Sequence, residues 1–428
     1  MKAPDILIPH LSRPVAILGA GASGRGAQAL AGAMGADCVT YDETGVRFTA
    51  AAASGHSLVV FSPGFRPDHP WLAAAAASGC LCLGELDFAS LAWRGRVLAV
   101  TGTNGKTTLT EFLVHALSSA GMTAVATGNI GRAFSQVTAE RDGGAPGTVA
   151  VCEVSSFQAE TLSHLRPEAV LWTNFAEDHL ERHPGMEAYF RAKCRLAERA
   201  ARVFAGSSVR SFAAGFAPGV LRGADWVESE RQPADPGLAG TVFADYPQYE
   251  NFLVAAAWWR SAGLDAAALR AAARSFRLGR HRLARVATID GVAYWNDSKA
   301  TNFHSVEAAL GRFAEPVVLI AGGRAKGCDC AGFVRRIAPR VAFCCLIGET
   351  AGELAGHCEA AGVAHARCAT LDEAIDRAAE AAPRGGNVLL SPGFASFDQF
   401  RGYEDRGDQF EKALQSRAGS GNLLNTLP

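Results

Sequence analysis

A glycine-rich turn holds the residues whose types and spacing best suit chemistry. The turn reads Thr101-Gly102-Thr103-Asn104-Gly105-Lys106-Thr107-Thr108, between an apolar run, Val97 to Val100, and a predicted helix from about Thr107 to Ala120. Glycines let the backbone approach an anion, the free N–H groups of a helix N-terminus bind it, and Lys106 adds a positive charge. The hydroxyl of Thr107 suits a Mg²⁺ shell. We therefore predict a phosphate site, with an accidental Gly-Lys-Thr turn as the alternative.

Further polar residues follow later predicted strands of the same region. Glu153 comes after an apolar run that begins at Thr148, and His179 comes shortly after the run Val170 to Thr173. A carboxylate at a strand end beside a phosphate loop can bind Mg²⁺ directly or through water. Lys193 lies in a predicted helix, and taken alone it has the alternative interpretation of a solvated helix residue. The shared position of these residues near successive strand ends favours the functional interpretation.

The first 90 or so residues predict a small α/β domain with a binding edge. Each of three predicted strands ends in a polar turn; the strands are Val15–Leu18, Cys38–Tyr41 and Leu58–Phe61, and the turns are Gly19 to Gly24, Asp42, and Ser62-Pro63-Gly64. A GxGxxG pattern with a carboxylate about twenty residues later is typical of dinucleotide binding, but it fits any nucleotide diphosphate on the helix N-terminus. The alternative is that these glycines serve only the turns.

The C-terminal third predicts another open parallel sheet. After Leu278 and a basic junction, Gly279 to Arg282, three apolar runs alternate with helices; the runs are Val292–Trp295, Val317–Ile320 and Val388–Leu390. This alternation indicates an α/β protein of three domains, each an open, mainly parallel sheet with helices. The predicted domains are an N-terminal Rossmann-like domain at 1–90, a central P-loop ATPase-like domain at 91–277 and a C-terminal Rossmann-like domain at 278–428.

Three stretches carry little information. Residues 203–245 read as irregular, and the chain from about Ser416 reads as a loose tail. Asn251 opens a predicted helix through Trp259, where an asparagine is more often a cap than a ligand contact.

Composition limits the class of function. The chain has 428 residues and a net charge of −1, so neither a polyanion-binding surface nor a nucleic-acid partner is expected. The sequence predicts no signal peptide and no bilayer-spanning stretch, so we expect a cytoplasmic protein without a membrane partner. We also expect a monomer. The 11 cysteines read as reduced thiols. Core positions are favoured over a zinc site at Cys328, Cys330, Cys344 and Cys345, because 341–347 reads as a buried strand.

A series of motifs recurs in order along nearly the whole chain: GxGxSG at 19–24, SPG at 62–64, TGTNGKTT at 101–108, GNIG at 128–131, EVSSFQ at 153–158, NFAEDHLERHP at 174–184, RAKCRL at 191–196, GRHR at 279–282, NDSKATN at 296–302 and ASFDQF at 395–400. In this order the motifs resemble those of the Mur ligase family, the ATP-dependent amide-forming enzymes of peptidoglycan precursor synthesis. Within the family, the set resembles members that add D-glutamate to UDP-N-acetylmuramoyl-L-alanine. The alanine-adding and diaminopimelate-adding members fit less well.

The resemblance implies a reaction and a set of residues. ATP phosphorylates the substrate carboxylate, and an amine attacks the acyl phosphate. Implied catalytic residues are Lys106, Asn129, Glu153, His179 and Lys193; implied metal ligands, for two Mg²⁺ ions and with Lys193 carbamylated, are Thr107, Glu153, His179 and Lys193. The implied ATP site comprises Gly102, Thr103, Asn104, Gly105, Lys106, Thr107, Thr108, Asn251, Arg282, Asp297 and Lys299. The implied UDP-sugar site comprises Ala22, Ser23, Asp42, Glu43, Ser62, Pro63, Gly64 and Asn129, and the implied amino-acid site comprises Thr301, Lys326, Ser396, Phe397 and Tyr403.

Three other functions stay open at this point. Departures from the family pattern at Arg324-Ala325 and at 391–394 surround the implied amino-acid site, so a relative that takes L-glutamate or another diacid is the first alternative. An NAD-dependent dehydrogenase built on the first GxGxxG is the second, and it leaves Lys106 and Glu153 unexplained. A non-catalytic nucleotide-binding module is the third.

Overall fold

The computed structural model describes residues 1–216, 219–229, 232–325, 327 and 329–418. Within this part of the chain, strands alternate with helices and form three open sheets, which confirms the predicted α/β class. The chain divides into two compact units. The first unit comprises Met1–Phe175 and Glu187–Phe276, and the second comprises Ala176–Met186 and the chain from Arg277 onward. None of the described helices is both long enough and apolar enough to cross a bilayer.

The first unit begins with a four-stranded parallel sheet in the order β2-β1-β3-β4. Its strands are β1 (Val15–Leu18), β2 (Cys38–Tyr41), β3 (Leu58–Phe61) and β4 (Leu81–Gly84), and its helices are α1 (Ala22–Ala33), α2 (Ala50–Ala53), α3 (Pro70–Ala77) and α4 (Glu85–Ala92). Every residue of β1 and β3 is buried, as expected of parallel strands covered on both faces. The three predicted strands are confirmed, and β4 was not predicted.

The second sheet of this unit has six parallel strands in the order β10-β9-β8-β5-β7-β6. The strands are β5 (Arg96–Thr101), β6 (Ala124–Gly128), β7 (Val149–Glu153), β8 (Ala169–Trp172), β9 (Arg202–Gly206) and β10 (Asp225–Val227). The helices are α5 (Lys106–Ser119), α6 (Phe134–Glu140), α7 (Ser156–Ala159), α8 (Met186–Ala197), α9 (Ser207–Phe216), α10 (Gln248–Ser261) and α11 (Ala266–Ser275). Helix α6 packs against α1 and α4, which joins the two sheets within the unit.

Two expectations about this region are wrong. The stretch 203–245 is not irregular, because it contains most of β9 and all of α9 and β10. Only two side chains of α9, Val209 and Ala213, are buried, so its apolar pattern is faint. Asn251 does not cap α10, since that helix begins at Gln248 and Asn251 is its fourth residue, 2% exposed.

The second unit contains a six-stranded sheet in the order β11-β12-β16-β13-β14-β15. The strands are β11 (Ala284–Ile289), β12 (Val292–Asn296), β13 (Val317–Gly322), β14 (Val341–Ile347), β15 (His365–Arg367) and β16 (Asn387–Leu390). The helices are α12 (Phe303–Leu310), α13 (Cys330–Ile337), α14 (Ala351–Ala361), α15 (Leu371–Ala381) and α16 (Tyr403–Ala418). Only β11 is antiparallel to its neighbour, so the prediction of a mainly parallel sheet is confirmed.

The ends of the second unit correct one expectation and bear on another. Helix α16 continues to Ala418, so a loose tail from Ser416 is wrong for its first three residues, and 419–428 lie outside the described residues. Cys344 and Cys345 are buried in β14 as predicted. Cys328 lies outside the described residues. Among the residues that are described, no group of three or more His, Cys, Asp or Glu side chains could hold a metal ion.

Candidate active site

The glycine-rich turn closes tightly between β5 and α5 of the first unit. Gly102 has φ 145° and Gly105 has φ 79°, backbone conformations that side chains rarely adopt. A Cβ at position 102 would lie 1.9 Å from Thr173 Oγ1, and one at position 105 would lie 2.5 Å from Asn251 Oδ1. Because both glycines are crowded by polar side chains, only glycine fits the loop at these two points.

Lys106 folds back over this loop. Its Nζ donates to the carbonyl oxygens of Gly102 at 3.0 Å and Thr103 at 2.7 Å. Lys106 is also the first residue of α5, and the first N–H groups of a helix have no partner within the helix itself. The result is a concentration of positive charge of the kind that binds phosphate.

Glu153 lies at the end of β7 and connects two other predicted residues. It is 2% exposed, and its Oε2 accepts a hydrogen bond from Thr107 Oγ1 at 2.7 Å. Its Oε1 accepts one from Asn129 Nδ2 at 2.9 Å. A carboxylate and a hydroxyl side by side are hard oxygen donors of the kind that Mg²⁺ uses together with phosphate and water oxygens. These residues therefore fit Mg²⁺, which needs no larger protein cluster.

Lys193 of α8 approaches the same loop and is 1% exposed. Its Nζ donates to Gly102 O at 2.9 Å and lies 3.4 Å from Thr101 Oγ1. The ring centroid of Tyr189 is 4.9 Å from this nitrogen. The ammonium groups of Lys106 and Lys193 thus contact one carbonyl oxygen, that of Gly102, which brings two like charges together.

Several residues that support the loop carried no role in the sequence analysis. Asn174 Oδ1 accepts the N–H of Asn104 at 2.9 Å, and Thr173 Oγ1 donates to Asn104 O at 2.6 Å. The hydroxyl of Tyr189 lies 3.2 Å from Thr103 Oγ1. Thr173 and Asn174 directly follow β8, the neighbour of β5, so their place at a strand end was the available signal.

Asn251 and Thr108 are the remaining residues of the first unit that were predicted for the ATP site. Asn251 lies against Gly105, and its Nδ2 donates to Gln248 Oε1 at 2.8 Å. Thr108, the third residue of α5, is 2% exposed, so it packs inside the unit.

The first sheet gathers the predicted UDP-sugar residues at its carboxyl edge. Ala22 and Ser23 begin α1, and Pro63 and Gly64 follow Ser62 after β3. The Oγ of Ser62 is buried without a hydrogen-bond partner among the described residues.

Asp42 and Glu43 follow β2 at the same edge. Asp42 Oδ2 accepts the N–H of Ala20 at 2.9 Å, and its Oδ1 accepts from Thr44. These bonds lower the pKa of Asp42, the one from Ala20 most. The carboxylate therefore shapes the glycine turn after β1. Glu43 Oε1 lies 3.3 Å from His69 Nε2.

His179 belongs to the second unit, within Ala176–Met186. Its backbone has φ 56°, its Nδ1 lies 3.2 Å from Glu181 Oε1, and its Nε2 lies 3.6 Å from Asp178 Oδ2. Asp178 is itself fixed, because Oδ2 accepts a hydrogen bond from Asn302 Nδ2 at 3.0 Å.

Asp297 anchors the predicted ATP residues of this unit. Its Oδ1 accepts the N–H of Leu283 at 3.0 Å, and its Oδ2 accepts from Ser391 Oγ at 2.8 Å. Burial raises the pKa of Asp297 to about 7. Arg282 lies between His281 and Leu283, which have φ 63° and 50°, so its position is set by two left-handed residues. Lys299 Nζ lies 3.8 Å from the ring centroid of Tyr403.

The predicted amino-acid residues of the second unit differ in burial. Ser396 is 2% exposed and Phe397 is 66% exposed. Thr301 lines a cavity of about 140 Å³ together with Asp178, Asn302 and neighbouring residues. Lys326 lies outside the described residues.

Comparison with known proteins identifies the family. The family model for the Mur ligase middle domain matches residues 100–204, and the model for the Mur ligase glutamate ligase domain matches residues 281–394. The chain is 38% identical to the UDP-N-acetylmuramoylalanine--D-glutamate ligase of Gloeobacter violaceus, covering 85% of each chain. It is 37% identical to the enzyme of the same name from Thermobifida fusca, covering 86% of each. The chain belongs to the Mur ligase family.

Solved structures of family members share the fold. The UDP-N-acetylmuramate-alanine ligase MurC from Thermotoga maritima has a TM-score of 0.59 and 16% sequence identity, covering 94% of this chain and 99% of its own. The resemblance on which the ligase interpretation depends is therefore confirmed. Membership of a family of ligases also removes the dehydrogenase alternative and favours an enzyme over a non-catalytic module.

Proposed function

We propose that this protein is the ATP-dependent ligase that joins D-glutamate to UDP-N-acetylmuramoyl-L-alanine in the cytoplasm, releasing ADP and phosphate. The observation that carries the proposal is the linked arrangement of loop, Thr107, Glu153 and Asn129 at neighbouring strand ends. Identity of 38% and 37% to D-glutamate ligases over most of the chain supports the acceptor.

Lys106 and the N–H groups of the loop would hold the β- and γ-phosphates of ATP, because they bring a positive charge and hydrogen-bond donors to one strand edge. Thr107 and Glu153 would hold a Mg²⁺ ion, which supplies positive charge to the phosphate oxygens as charge shifts during transfer. Asn129 would orient the substrate carboxylate, since its amide is fixed through Glu153. The carboxylate then attacks the γ-phosphorus, and the amine of D-glutamate displaces phosphate from the acyl phosphate.

Lys193 would act as a carbamate and not as an ammonium. In the present arrangement its ammonium competes with that of Lys106 for the carbonyl of Gly102. Reaction of the neutral amine with CO₂ releases a proton and leaves an N–H for that carbonyl, while it replaces a positive charge by a negative one. Two oxygens then become available to a second Mg²⁺. His179 would be a further ligand.

We assign further substrate contacts to residues of the second unit. Arg282, Asp297 and Lys299 would contact ATP. Thr301, Lys326, Ser396, Phe397 and Tyr403 would form the acceptor site, in which Lys326 pairs with the side-chain carboxylate of D-glutamate. On the first sheet, Ala22, Ser23, Asp42, Glu43 and Ser62 to Gly64 would hold the uridine diphosphate. We place the domain boundaries at 90/91 and 277/278 and expect a monomer.

The test is phosphate release from ATP with UDP-N-acetylmuramoyl-L-alanine and, in turn, D-glutamate, L-glutamate and D-aspartate, with the product mass checked. Release and an adduct of matching mass only with D-glutamate are expected. A preference for L-glutamate or D-aspartate would keep the ATP site and reassign the residues around Ser396. No release with any of the three would contradict the proposal.

A further inference from the structure

Glu85 is a buried carboxyl group that the proposed reaction does not use. It is the first residue of α4, directly after β4, and it is 2% exposed. Its Oε1 accepts the N–H of Ser135 at 2.6 Å, and its own carbonyl accepts from Ser135 Oγ at 3.3 Å. Its Oε2 is buried and has no hydrogen-bond partner among the described residues. An unpaired buried oxygen is costly, so a partner is expected.

A small cavity lies beside this group. Its lining includes Phe61, Pro63, Gly84, Glu85, Gln158 and Thr161. The cavity volume of about 10 Å³ admits one water-sized group. Phe61 and Gly84 are paired residues at the ends of β3 and β4, so the cavity lies at the carboxyl edge of the first sheet. Ser62, which follows Phe61, carries another buried oxygen without a hydrogen-bond partner among the residues that the structure describes.

Among the residues that the structure describes, no cation contributes to the pKa of Glu85. Burial raises its pKa to about 7, although hydrogen bonds from the N–H and the side chain of Ser135 and from the N–H of Phe134 lower it in part. Glu85 influences the pKa of one titratable neighbour, the thiol of Cys152 on β7. That pKa is raised mainly by burial and further by the charge of Glu85.

The charged groups described on the helices around Glu85 are exposed or already hydrogen-bonded. Arg25 on α1 and Glu140 on α6 are exposed. Asp87, on the same helix as Glu85, accepts four hydrogen bonds from Ser163, His164 and Leu165. The neutral acid is therefore the form that this environment favours near neutral pH.

We propose that the cavity is a polar subsite in which Glu85, as a neutral acid, donates a hydrogen bond from Oε2 to one acceptor oxygen. The oxygen comes either from a hydroxyl or amide group of the sugar nucleotide or from an ordered water molecule. The first source rests on the proposed function, since Pro63 lines the cavity and belongs to the proposed UDP-sugar site. The second source is independent of it.

The proton on Glu85 is tested by thermal unfolding between pH 4.5 and 8.5. The folded-state pKa of about 7 lies above the value of 4.5 for an unperturbed Glu, so the native state binds the extra proton between these values. Stability from this group is lost as pH rises through that window. The difference in Tm between Glu85→Gln and the wild type should therefore increase by several degrees as the pH rises from 4.5 to about 7. At higher pH the Tm of the variant should stay above that of the wild type. Parallel curves would overturn the proposal.

A matched control is Glu168→Gln. Glu168 is a partly exposed carboxylate of the same unit, paired with Arg96 at 2.6 Å. This variant should not reproduce the rising difference in Tm over the same pH range. A rise of the same size would show that removal of any carboxylate produces the effect, and the proposal would fail.

The partner is tested by KM. If the oxygen belongs to the substrate, Glu85→Leu should raise KM for UDP-N-acetylmuramoyl-L-alanine at least fivefold and KM for ATP less than twofold, and Glu85→Gln should recover most of the loss. If the oxygen belongs to water, Glu85→Leu should lower Tm at pH 6 without a selective change in KM. A Glu85→Leu protein with wild-type Tm and KM would overturn the proposal. Failure of the proposed function itself would appear separately, as no turnover by the wild type.

Discussion

Two lysines share one carbonyl oxygen at the phosphate loop. Lys106 and Lys193 both donate to Gly102 O, at 3.0 and 2.9 Å. Two ammonium groups this close repel each other, and burial strengthens the repulsion because little water screens it. A bound phosphate or a chemical change at one lysine relieves it. The two lysines therefore call for different experiments.

Lys106→Ala should remove ATP-dependent turnover, by about a hundredfold or more, because it deletes the cation of an anion site. The measurement is phosphate release at saturating substrates, with circular dichroism to check the fold. Lys412→Ala, which deletes an exposed lysine of α16, is the control and should keep full activity. Turnover that survives in Lys106→Ala would show that the loop does not bind the transferred phosphate.

Lys193→Ala should also remove activity, but added acetate should restore part of it. Acetate supplies the oxygens that a carbamate would have carried, whereas it cannot replace an ammonium. Turnover is measured as a function of acetate concentration, with chloride at equal ionic strength as the control. Rescue by methylammonium instead of acetate would identify the working group as a cation and contradict the carbamate.

At the scale of elements, the turn between β5 and α5 shows that backbone conformation and steric crowding constrain a glycine separately. Gly105 and Gly121 both have φ 79°, but a Cβ at position 105 would lie 2.5 Å from Asn251 whereas one at position 121 would meet nothing within 4 Å. Alanine at either position costs about 1 kcal/mol of backbone strain. Only Gly105→Ala also displaces Asn251 and the loop.

Gly105→Ala should therefore weaken ATP binding by about tenfold or more, whereas Gly121→Ala should lower stability alone. The dissociation constant for ATP and the free energy of unfolding are measured for both variants. Equal ATP affinity in the two variants would mean that the contact between Gly105 and Asn251 has no part in the nucleotide site.

Fully buried strands could be predicted from the sequence, whereas half-buried elements could not. β1 and β3 are continuous apolar runs bounded by glycine turns, so length and composition were sufficient. β11 has residues of intermediate burial in five of six positions and shows no clear period, although Asp290-Gly291 after it is a typical hairpin signal. Asn251 was placed at a cap because the start of α10 has no capping side chain to mark it.

The pairing of site residues across the sheet was predictable only in outline. Sequence order placed Glu153 and Thr107 at strand and helix ends, and parallel strands bring such ends together. The contacts of Thr173, Asn174 and Tyr189 with the loop depend on side-chain directions that a sequence does not contain.

At the scale of the whole molecule, each unit carries a buried carboxyl with a raised pKa, Glu85 in the first and Asp297 in the second. For Asp297, burial raises the pKa from 3.8 to about 7. The native state then binds more protons than the unfolded state between these values, so the free energy of unfolding falls as pH rises through that range.

Asp297→Asn should remove a part of this fall, and the variant should gain stability relative to the wild type between pH 4 and 7. Urea unfolding at half-unit pH intervals measures the difference. Asp68→Asn, which changes an exposed aspartate, should show no such gain. A gain at constant size over the whole range would mean that Asp297 is ionised at all these pH values.

The assignment of Ala176–Met186 to the second unit has a consequence for taking the protein apart. The chain leaves the first unit at Phe175, returns at Glu187 and leaves again at Phe276. A single cut at 276/277 therefore cannot yield two complete pieces, since the C-terminal fragment would lack the segment with His179 and the N-terminal fragment would carry it without Asn302, the partner of Asp178. Gene fragments divided at that point should fail to complement when each is expressed singly. A working split version must therefore express both pieces together and keep these eleven residues covalently joined to the N-terminal piece.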